Sequence, residues 1–159
     1  MNLTDFLCTE CGLCCDGSLF SDVELSSAKE ISGLEVLGLN VEDGDGSAPG
    51  LLLQPCNARV GKRCGIYQHR PKCCRTFECR LLKDVRSGSI GAANARQTIA
   101  TVTSELGGLR DLLGPNHSDL PLKEQYLEVI DSLEERENAT ELMRRMRTLE
   151  QTIKKTFIE

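Results

Sequence analysis

Residues 8–17 read CTECGLCCDG and place four cysteines within eight consecutive positions. Such a density of thiols indicates disulfides, metal ligands or a reactive nucleophile, and the rest of the chain has to discriminate among them. A second group of cysteines follows forty residues later, and residues 80–159 contain none. The nine cysteines are Cys8, Cys11, Cys14, Cys15, Cys56, Cys64, Cys73, Cys74 and Cys79.

The start of the chain and the cysteine count predict the compartment. The segment MNLTDFLCTE has no basic region followed by an apolar run, and no stretch of about 18 apolar residues occurs in the chain. We therefore expect a cytoplasmic protein without a membrane segment. Disulfides rarely persist in a reducing cytosol and nine is an odd number, so a disulfide framework is disfavoured.

Charge is distributed unevenly along the chain. Residues 1–50 carry ten acids against one base, and residues 51–83 carry eight bases against one acid. A basic segment of this kind binds nucleic acid or offsets the charge of nearby thiolates. Because the whole chain is acidic, we favour the second interpretation, with Arg70, Arg75 and Arg80 beside the thiolates, over a basic-patch module for nucleic acid or protein.

Local patterns predict short elements in the first half of the chain. The stretch GSLFSDVEL at 17–25 suggests a strand, and Ser27 with Glu30 has the spacing of a capping box for a helix through Leu37. The stretch LLLQP at 51–55 suggests a second strand that leads to Cys56. The acidic, glycine-rich segment between helix and strand lacks the closing Glu of a calcium loop and is interpreted as a connection.

Helical periodicity dominates the second half. Apolar residues recur at steps of three and four in three segments, with a turn at 114–121 before the second and Asn138 with Glu141 as a capping box for the third. We expect these helices to pack on one another or to form an interface with a protein partner or a second copy of the chain. The stripes are Ala95, Ile99, Val102, Leu106, Leu109 and Leu113; Leu122, Tyr126, Ile130 and Leu133; and Leu142, Met146, Leu149, Ile153 and Phe157.

The predicted fold is therefore mainly α, with an irregular cysteine-rich metal-binding region, short helices, minimal strand and a C-terminal helical segment. We assign residues 1–88 to the cysteine-cluster region and residues 89–159 to a helical segment that packs on it, in one compact unit. The chain has no Trp, two Tyr and four Phe, so its core lacks the usual large residues and needs support besides apolar burial.

Two dense cysteine groups forty residues apart favour a metal caged by thiolates from distant parts of the chain. A C-x2-C pair reaches one metal through a turn, which Gly12 eases. Side chains at adjacent positions diverge, so each doublet, Cys14 with Cys15 and Cys73 with Cys74, indicates two nearby centres or one ligand plus one spare thiol.

The spacing favours iron and sulfur over zinc. The run Cys8-x2-Cys11-x2-Cys14 matches the first three cysteines of a bacterial ferredoxin run around a [4Fe–4S] cluster. Eight thiolates also divide into two four-cysteine zinc sites, so up to two zinc ions are the alternative. His69 is interpreted as a surface or outer-shell residue, His117 as solvated in a turn, and no hydrolase signature occurs.

The residues quoted above resemble the CxxCxxCC, or YkgJ-type, cysteine-cluster family, a zinc- or iron-chelating domain. The first part of the resemblance is CTECGLCCDG at 8–17. The second is CNARVGKRCGIYQHRPKCCRTFEC at 56–79, which is similar to the family's pattern C-x-I-Y-x-x-R-P-x-x-C-R-x-F-x-C. The resemblance does not extend over residues 90–159.

The resemblance implies a metal-ligand set and leaves the reaction open. Cys73 falls at a variable position of the pattern, which implies that it is a spare thiol. The family is similar to the cysteine domain of flagellin lysine N-methylases, so an iron–sulfur-dependent methyl-transferring enzyme is the alternative to a structural or electron-carrying metal protein. The implied ligands are Cys8, Cys11, Cys14, Cys15, Cys56, Cys64, Cys74 and Cys79.

Overall fold

The computed structural model describes residues 3–133 and 136–159 and confirms the mainly α class. Within these residues, seven α-helices accompany five strands of two or three residues each. The chain divides into two compact units. We call Gly12–Phe77 the sheet unit, and the segments before and after it the helical unit. The predicted boundary between residues 88 and 89 stays a prediction.

The sheet unit contains a three-stranded antiparallel sheet, a two-stranded hairpin and two short helices. In the sheet, Leu52 of the middle strand lies opposite both Val23 and Val41. Both predicted strands are therefore confirmed. The elements are β1 Asp22–Glu24, α2 Ala28–Val36, β2 Val41–Glu42, β3 Leu51–Leu53, β4 Arg59–Val60, β5 Arg63–Cys64, a 3₁₀ helix Tyr67–His69 and α3 Lys72–Thr76.

The apolar core of the sheet unit is small. Leu25, Leu34, Leu39 and Leu52 form one buried cluster, against which Cys73 and other partly buried residues pack. Burial of a leucine side chain contributes about 1.5–3 kcal/mol. With Leu13, the unit has five buried leucines, which are few for its length and agree with the expectation that this region needs another source of stability.

The predicted helix after Ser27 is confirmed, and half of its capping box forms. Ser27 is the N-cap of α2, and its Oγ accepts a hydrogen bond from the Glu30 amide at 3.2 Å. The Glu30 carboxylate accepts instead from the amide and hydroxyl of Ser26, at 2.8 and 2.9 Å. Because Ser26 precedes the N-cap, this carboxylate also holds the residue that leads into the helix.

The helical unit consists of α-helices around α5, which contacts α1, α4, α6 and α7. A π-helical turn, Lys154–Ile158, follows α7 and contacts α4. Among the described residues, no helix combines the length and apolar character that crossing a bilayer requires. The helices are α1 Leu3–Cys11, α4 Arg80–Arg86, α5 Ala92–Leu113, α6 Leu122–Ser132 and α7 Arg136–Ile153.

Two of the three predicted stripes are confirmed in full, because every residue named for α5 and for the third helix is buried. In α6 only Leu122 of the stripe is buried, whereas Tyr126 and Ile130 are half-exposed. Gln125 is buried in their place, and its Nε2 donates to the Leu120 carbonyl at 2.9 Å. A prediction based on apolar residues alone overlooks a buried side-chain amide that is hydrogen-bonded to the backbone.

The predicted start of the third helix is wrong by at least two residues. Helix α7 begins at Arg136, so Asn138 lies inside the helix, and its side chain falls outside the described residues. The Glu141 carboxylate does not serve a capping box, because it accepts hydrogen bonds from Arg144 and Arg145 on the next turn. Pairs three and four residues apart lie on one helix face, which makes this contact local.

Candidate metal centre

The nine cysteines are present as thiols and are shared between the two units. Three belong to the helical unit, two of them in α1 and the third at the N-cap of α4. Six belong to the sheet unit. The helical unit contains Cys8, Cys11 and Cys79, and the sheet unit contains Cys14, Cys15, Cys56, Cys64, Cys73 and Cys74.

The C-x2-C pair lies on a helix and not in the predicted turn. Cys8 and Cys11 fall in the last turn of α1, where positions three apart share a face, so the spacing still points both side chains to one side. Gly12 ends this helix with a φ of +72°. A Cβ on Gly12 would lie 3.0 Å from the Lys62 carbonyl oxygen, so both the backbone angle and the close approach require glycine.

In the helical unit, the helix that carries Cys8 and Cys11 contacts the helix that Cys79 precedes. Cys79 is the N-cap of α4, and α1 contacts α4. Burial raises the pKa of the Cys79 thiol, while the Leu82 and Leu81 amides and the Lys83 charge act in the opposite direction. Neither α1 nor α4 was predicted from the sequence.

In the sheet unit, backbone pairing brings Cys15, Cys56 and Cys64 together. The Cys56 amide donates to the Cys15 carbonyl at 2.8 Å, which joins the first cysteine segment to the second. The predicted strand β3 ends two residues before Pro55 and so leads the chain to this contact. The hairpin of β4 and β5 then returns the chain, with Cys64 paired to Arg59.

Four thiols of the sheet unit interact electrostatically with one another. Burial, followed by the charges of Cys56 and Cys64, raises the pKa of Cys15 to about 11. The pKa of Cys56 is raised by burial and by Cys64. The charges of Cys15 and Cys56 are among the causes that raise the pKa of Cys74. We call Cys15, Cys56, Cys64 and Cys74 the four-thiol group.

The doublet in α3 departs from the expectation that adjacent side chains diverge, because the sulfurs of Cys73 and Cys74 lie 3.9 Å apart. The hydrogen bond between them lowers the pKa of Cys73 to about 7 and raises that of Cys74. The two thiols still have different surroundings. Cys73 packs against the leucine cluster, whereas Cys74 interacts with Cys15 and Cys56.

The donor chemistry of the four-thiol group fits a soft metal centre. Zinc and iron–sulfur clusters both take four cysteine thiolates. Burial and the charges of neighbouring thiols raise the pKa of Cys15 and Cys56, and a bound cation favours the thiolate forms of both. Within the part of the chain described, no group of three or more His, Cys, Asp or Glu side chains is drawn together closely enough to enclose an ion.

Two cations outside the predicted set act on the thiols, and the predicted roles of Arg70, Arg75 and Arg80 stay predictions. The charge of Arg59 lowers the pKa of Cys15 and of Cys56, and Lys83 acts on Cys79. Arg80 pairs with Asp84 one turn along α4, at 3.5 Å. Arg59 lies in the same basic segment as the predicted arginines, and its amide donates to the Cys56 carbonyl at 3.1 Å.

The two other predicted arginines have different contacts. The Arg70 guanidinium stacks over the Tyr67 ring at 3.5 Å, and Arg75 lies near enough to Glu30 for its charge to lower the pKa of that carboxyl. His69 is exposed at the end of the 3₁₀ helix, and His117 is exposed in a turn, as expected.

Glu30 holds the helix that carries the α3 doublet. Its carboxylate accepts from the Lys72 amide at 2.6 Å, in addition to its two contacts with Ser26. Lys72 is the first residue of α3, and the N-cap Pro71 has no side-chain acceptor to offer. Glu30 therefore caps a helix 42 positions away, which the local capping-box pattern does not predict.

Replacement of Glu30 by Ala is expected to destabilise the protein by about 0.5–2 kcal/mol, the usual cost of losing a helix-capping acceptor. The measurement is the free energy of unfolding in urea. Glu35→Ala is the matched control, because Glu35 is an exposed glutamate on the same helix whose side chain has no partner among the described residues. Equal losses for the two variants would show that Glu30 does not hold α3.

These observations define a class of protein: a mainly helical chain with a small cysteine-rich unit, in which thiols from separate segments of that unit act on one another. Residues 7–98 match the CxxCxxCC family, described as "Putative zinc- or iron-chelating domain". The match covers more than half of the chain, and the protein belongs to this family. Comparisons with curated proteins and with solved structures found no match.

Proposed function

We propose that the four-thiol group is the metal centre of the sheet unit, and that the protein binds metal there in a structural or electron-carrying role. The observation that supports this proposal is that the charges of Cys56 and Cys64 act on Cys15, while those of Cys15 and Cys56 act on Cys74. Membership of a zinc- or iron-chelating family supports it independently.

The alternative chemistries of a thiol group have less support. The cysteines are free thiols, whereas a tetrahedral metal centre takes four thiolates. A cysteine nucleophile requires a thiolate at neutral pH, but the pKa of Cys15 is raised to about 11 and that of Cys56 is raised by burial. A bound metal cation itself favours the thiolate forms, whereas a nucleophile would need a neighbouring base or cation to do so.

The other proposed ligands are assigned on the family's motif. Cys8, Cys11, Cys14 and Cys79 match its cysteine positions, and Cys8 and Cys11 share one face of α1. We propose that they also ligate metal. Cys73 is proposed as the spare thiol, since it falls at a variable position of the family's motif.

Iron–sulfur is the proposed cofactor type and zinc the second candidate. The run Cys8-x2-Cys11-x2-Cys14 has ferredoxin spacing. Four thiolates around Cys15 suit either metal, so the donor set of the sheet unit does not discriminate between them. Thiolate chemistry of this kind suits a reducing compartment, and we propose a cytoplasmic location.

The test is metal analysis of full-length protein purified without oxygen. We expect stoichiometric iron with acid-labile sulfide and broad visible absorbance, or, for the second candidate, a colourless protein with stoichiometric zinc. In Cys15→Ser the metal content is expected to fall, because Cys15 interacts with two other thiols of the group. Native protein without stoichiometric iron or zinc contradicts the proposed function.

A further inference from the structure

The sheet unit contains a groove of about 830 Å³ outside the four-thiol group. One wall is the outer surface of α2, and the other is the chain from Gln68 to Arg75, which leads into α3. Pockets that hold small molecules have volumes of about 300–1,000 Å³. The groove is therefore large enough for a small organic ligand, and metal binding does not account for it.

Positively charged side chains are concentrated in this groove, although the chain as a whole has more acids than bases. Lys29, Arg70 and Arg75 line it, together with His69. Among the described residues, none of the three cations pairs with a carboxylate within 4.0 Å. Three cations without carboxylate partners in an acidic chain favour an anionic ligand.

The carboxylate that lines the groove is already engaged. Glu30 accepts hydrogen bonds from the Ser26 amide, the Ser26 hydroxyl and the Lys72 amide. Its oxygens are therefore committed to backbone and hydroxyl donors of the sheet unit. One negative charge against three positive charges leaves the groove cationic even when the histidine is neutral.

Arg70 is held in an orientation suited to a planar anion. Its guanidinium carbon lies 3.5 Å from the centroid of the Tyr67 ring, and its Nε donates to the Tyr67 carbonyl at 2.9 Å. Its two terminal nitrogens have no acceptor among the described residues. A stacked guanidinium binds carboxylates through paired hydrogen bonds, and its prior ordering reduces the entropy lost on binding.

The α2 side of the groove offers apolar surface. Val36 is 88% exposed and Leu37 is 48% exposed, and both line the groove. An apolar group lying on them would remove this surface from water, which contributes about 25 cal/mol per Å². A bare inorganic anion gains nothing from this side.

We propose that the groove binds a small organic acid, with its carboxylate on Arg70 and Arg75 and its apolar body on Val36 and Leu37. This binding site is additional to the metal centre and does not depend on which metal the thiols hold.

The test titrates hexanoate, hexanol and inorganic phosphate into the full-length protein as purified and follows backbone amide NMR shifts. We expect hexanoate to bind with a Kd of about 1 mM or tighter, and to shift the amides of Gly33, Leu37 and Arg75. Hexanol lacks the carboxylate and phosphate lacks the apolar chain, so each should bind at least about 10-fold more weakly than hexanoate. Phosphate that binds as tightly as hexanoate overturns the organic-acid assignment.

Two variants separate the halves of the site. Arg70→Gln is expected to weaken hexanoate binding by about 10- to 100-fold, the effect of losing hydrogen bonds to a charged group. Val36→Ser should weaken hexanoate binding by about 5- to 10-fold without changing phosphate binding, and the exposure of Val36 makes misfolding a poor explanation.

Lys123→Gln is the charge-matched control, because Lys123 is exposed and lies outside the groove lining. Its hexanoate affinity should equal that of the native protein. Hexanoate binding that is unchanged in both Arg70→Gln and Val36→Ser, or weakened equally in the control, overturns the proposed site. Metal content is measured for every variant, so a failure at the thiols is distinguished from a failure at the groove.

Discussion

Removal of the metal is expected to cost the sheet unit its ordered structure, while α5 and α7 keep most of their helicity. Structural zinc contributes about 10–16 kcal/mol of binding free energy in small zinc peptides. The net free energy of unfolding of a whole domain is about 5–15 kcal/mol. The free energy lost with the metal is therefore as large as this net stability, or larger. The buried cluster of the sheet unit is four leucines, too few to replace it.

The helical unit has a different source of stability. Every residue of the α5 stripe and of the stripe along α7 and the following π-helical turn is buried, and α5 contacts α7 directly. Burial of apolar area does not require a thiolate or a metal. Helicity in this unit should therefore persist after chelation.

Amide hydrogen exchange on anaerobically chelated protein measures both outcomes at once. Fast exchange is expected across Gly12–Phe77, with slower exchange in α5 and α7. Reloading the metal is the control and should restore protection in the sheet unit. Protection of that unit without metal would mean that its fold is independent of the thiols, which would then need an explanation by reactivity.

Replacement of Cys74 by Ser is expected to lower metal affinity more than the roughly 10- to 100-fold that loss of an outer-shell partner costs. Cys74 interacts with Cys15 and Cys56, so the substitution removes one of four donors of the proposed centre. Cys73→Ser is the matched control, since the two residues are adjacent in α3 and their sulfurs are 3.9 Å apart.

The measurement is metal retention against a chelator of known affinity, with Cys73→Ser expected to retain the native metal content. Because Cys73 packs against the leucine cluster, its substitution is expected to affect stability more than metal binding. Equal loss of affinity in the two variants would show that the doublet acts as a unit and that the assignment of Cys73 as a spare thiol is wrong.

The sequence by itself determined the elements whose stability is local or periodic. The apolar steps of three and four identify α5 and the inner face of α7, because a helix of 3.6 residues per turn places those positions on one side. Ser27 identifies the start of α2, because a hydroxyl satisfies an amide three residues along. The cysteine spacing likewise identifies the family, which the match over residues 7–98 confirms.

Only the tertiary structure decided which residues act across long separations. Glu30 has the spacing of a local capping box, yet one of its oxygens serves the amide of Lys72. The charge of Arg59 acts on Cys15, because backbone pairing joins Cys15 to Cys56 and Arg59 follows Cys56 in a turn. Contacts of this kind depend on how the chain folds back on itself, and periodicity and spacing carry information only about neighbours within a few residues.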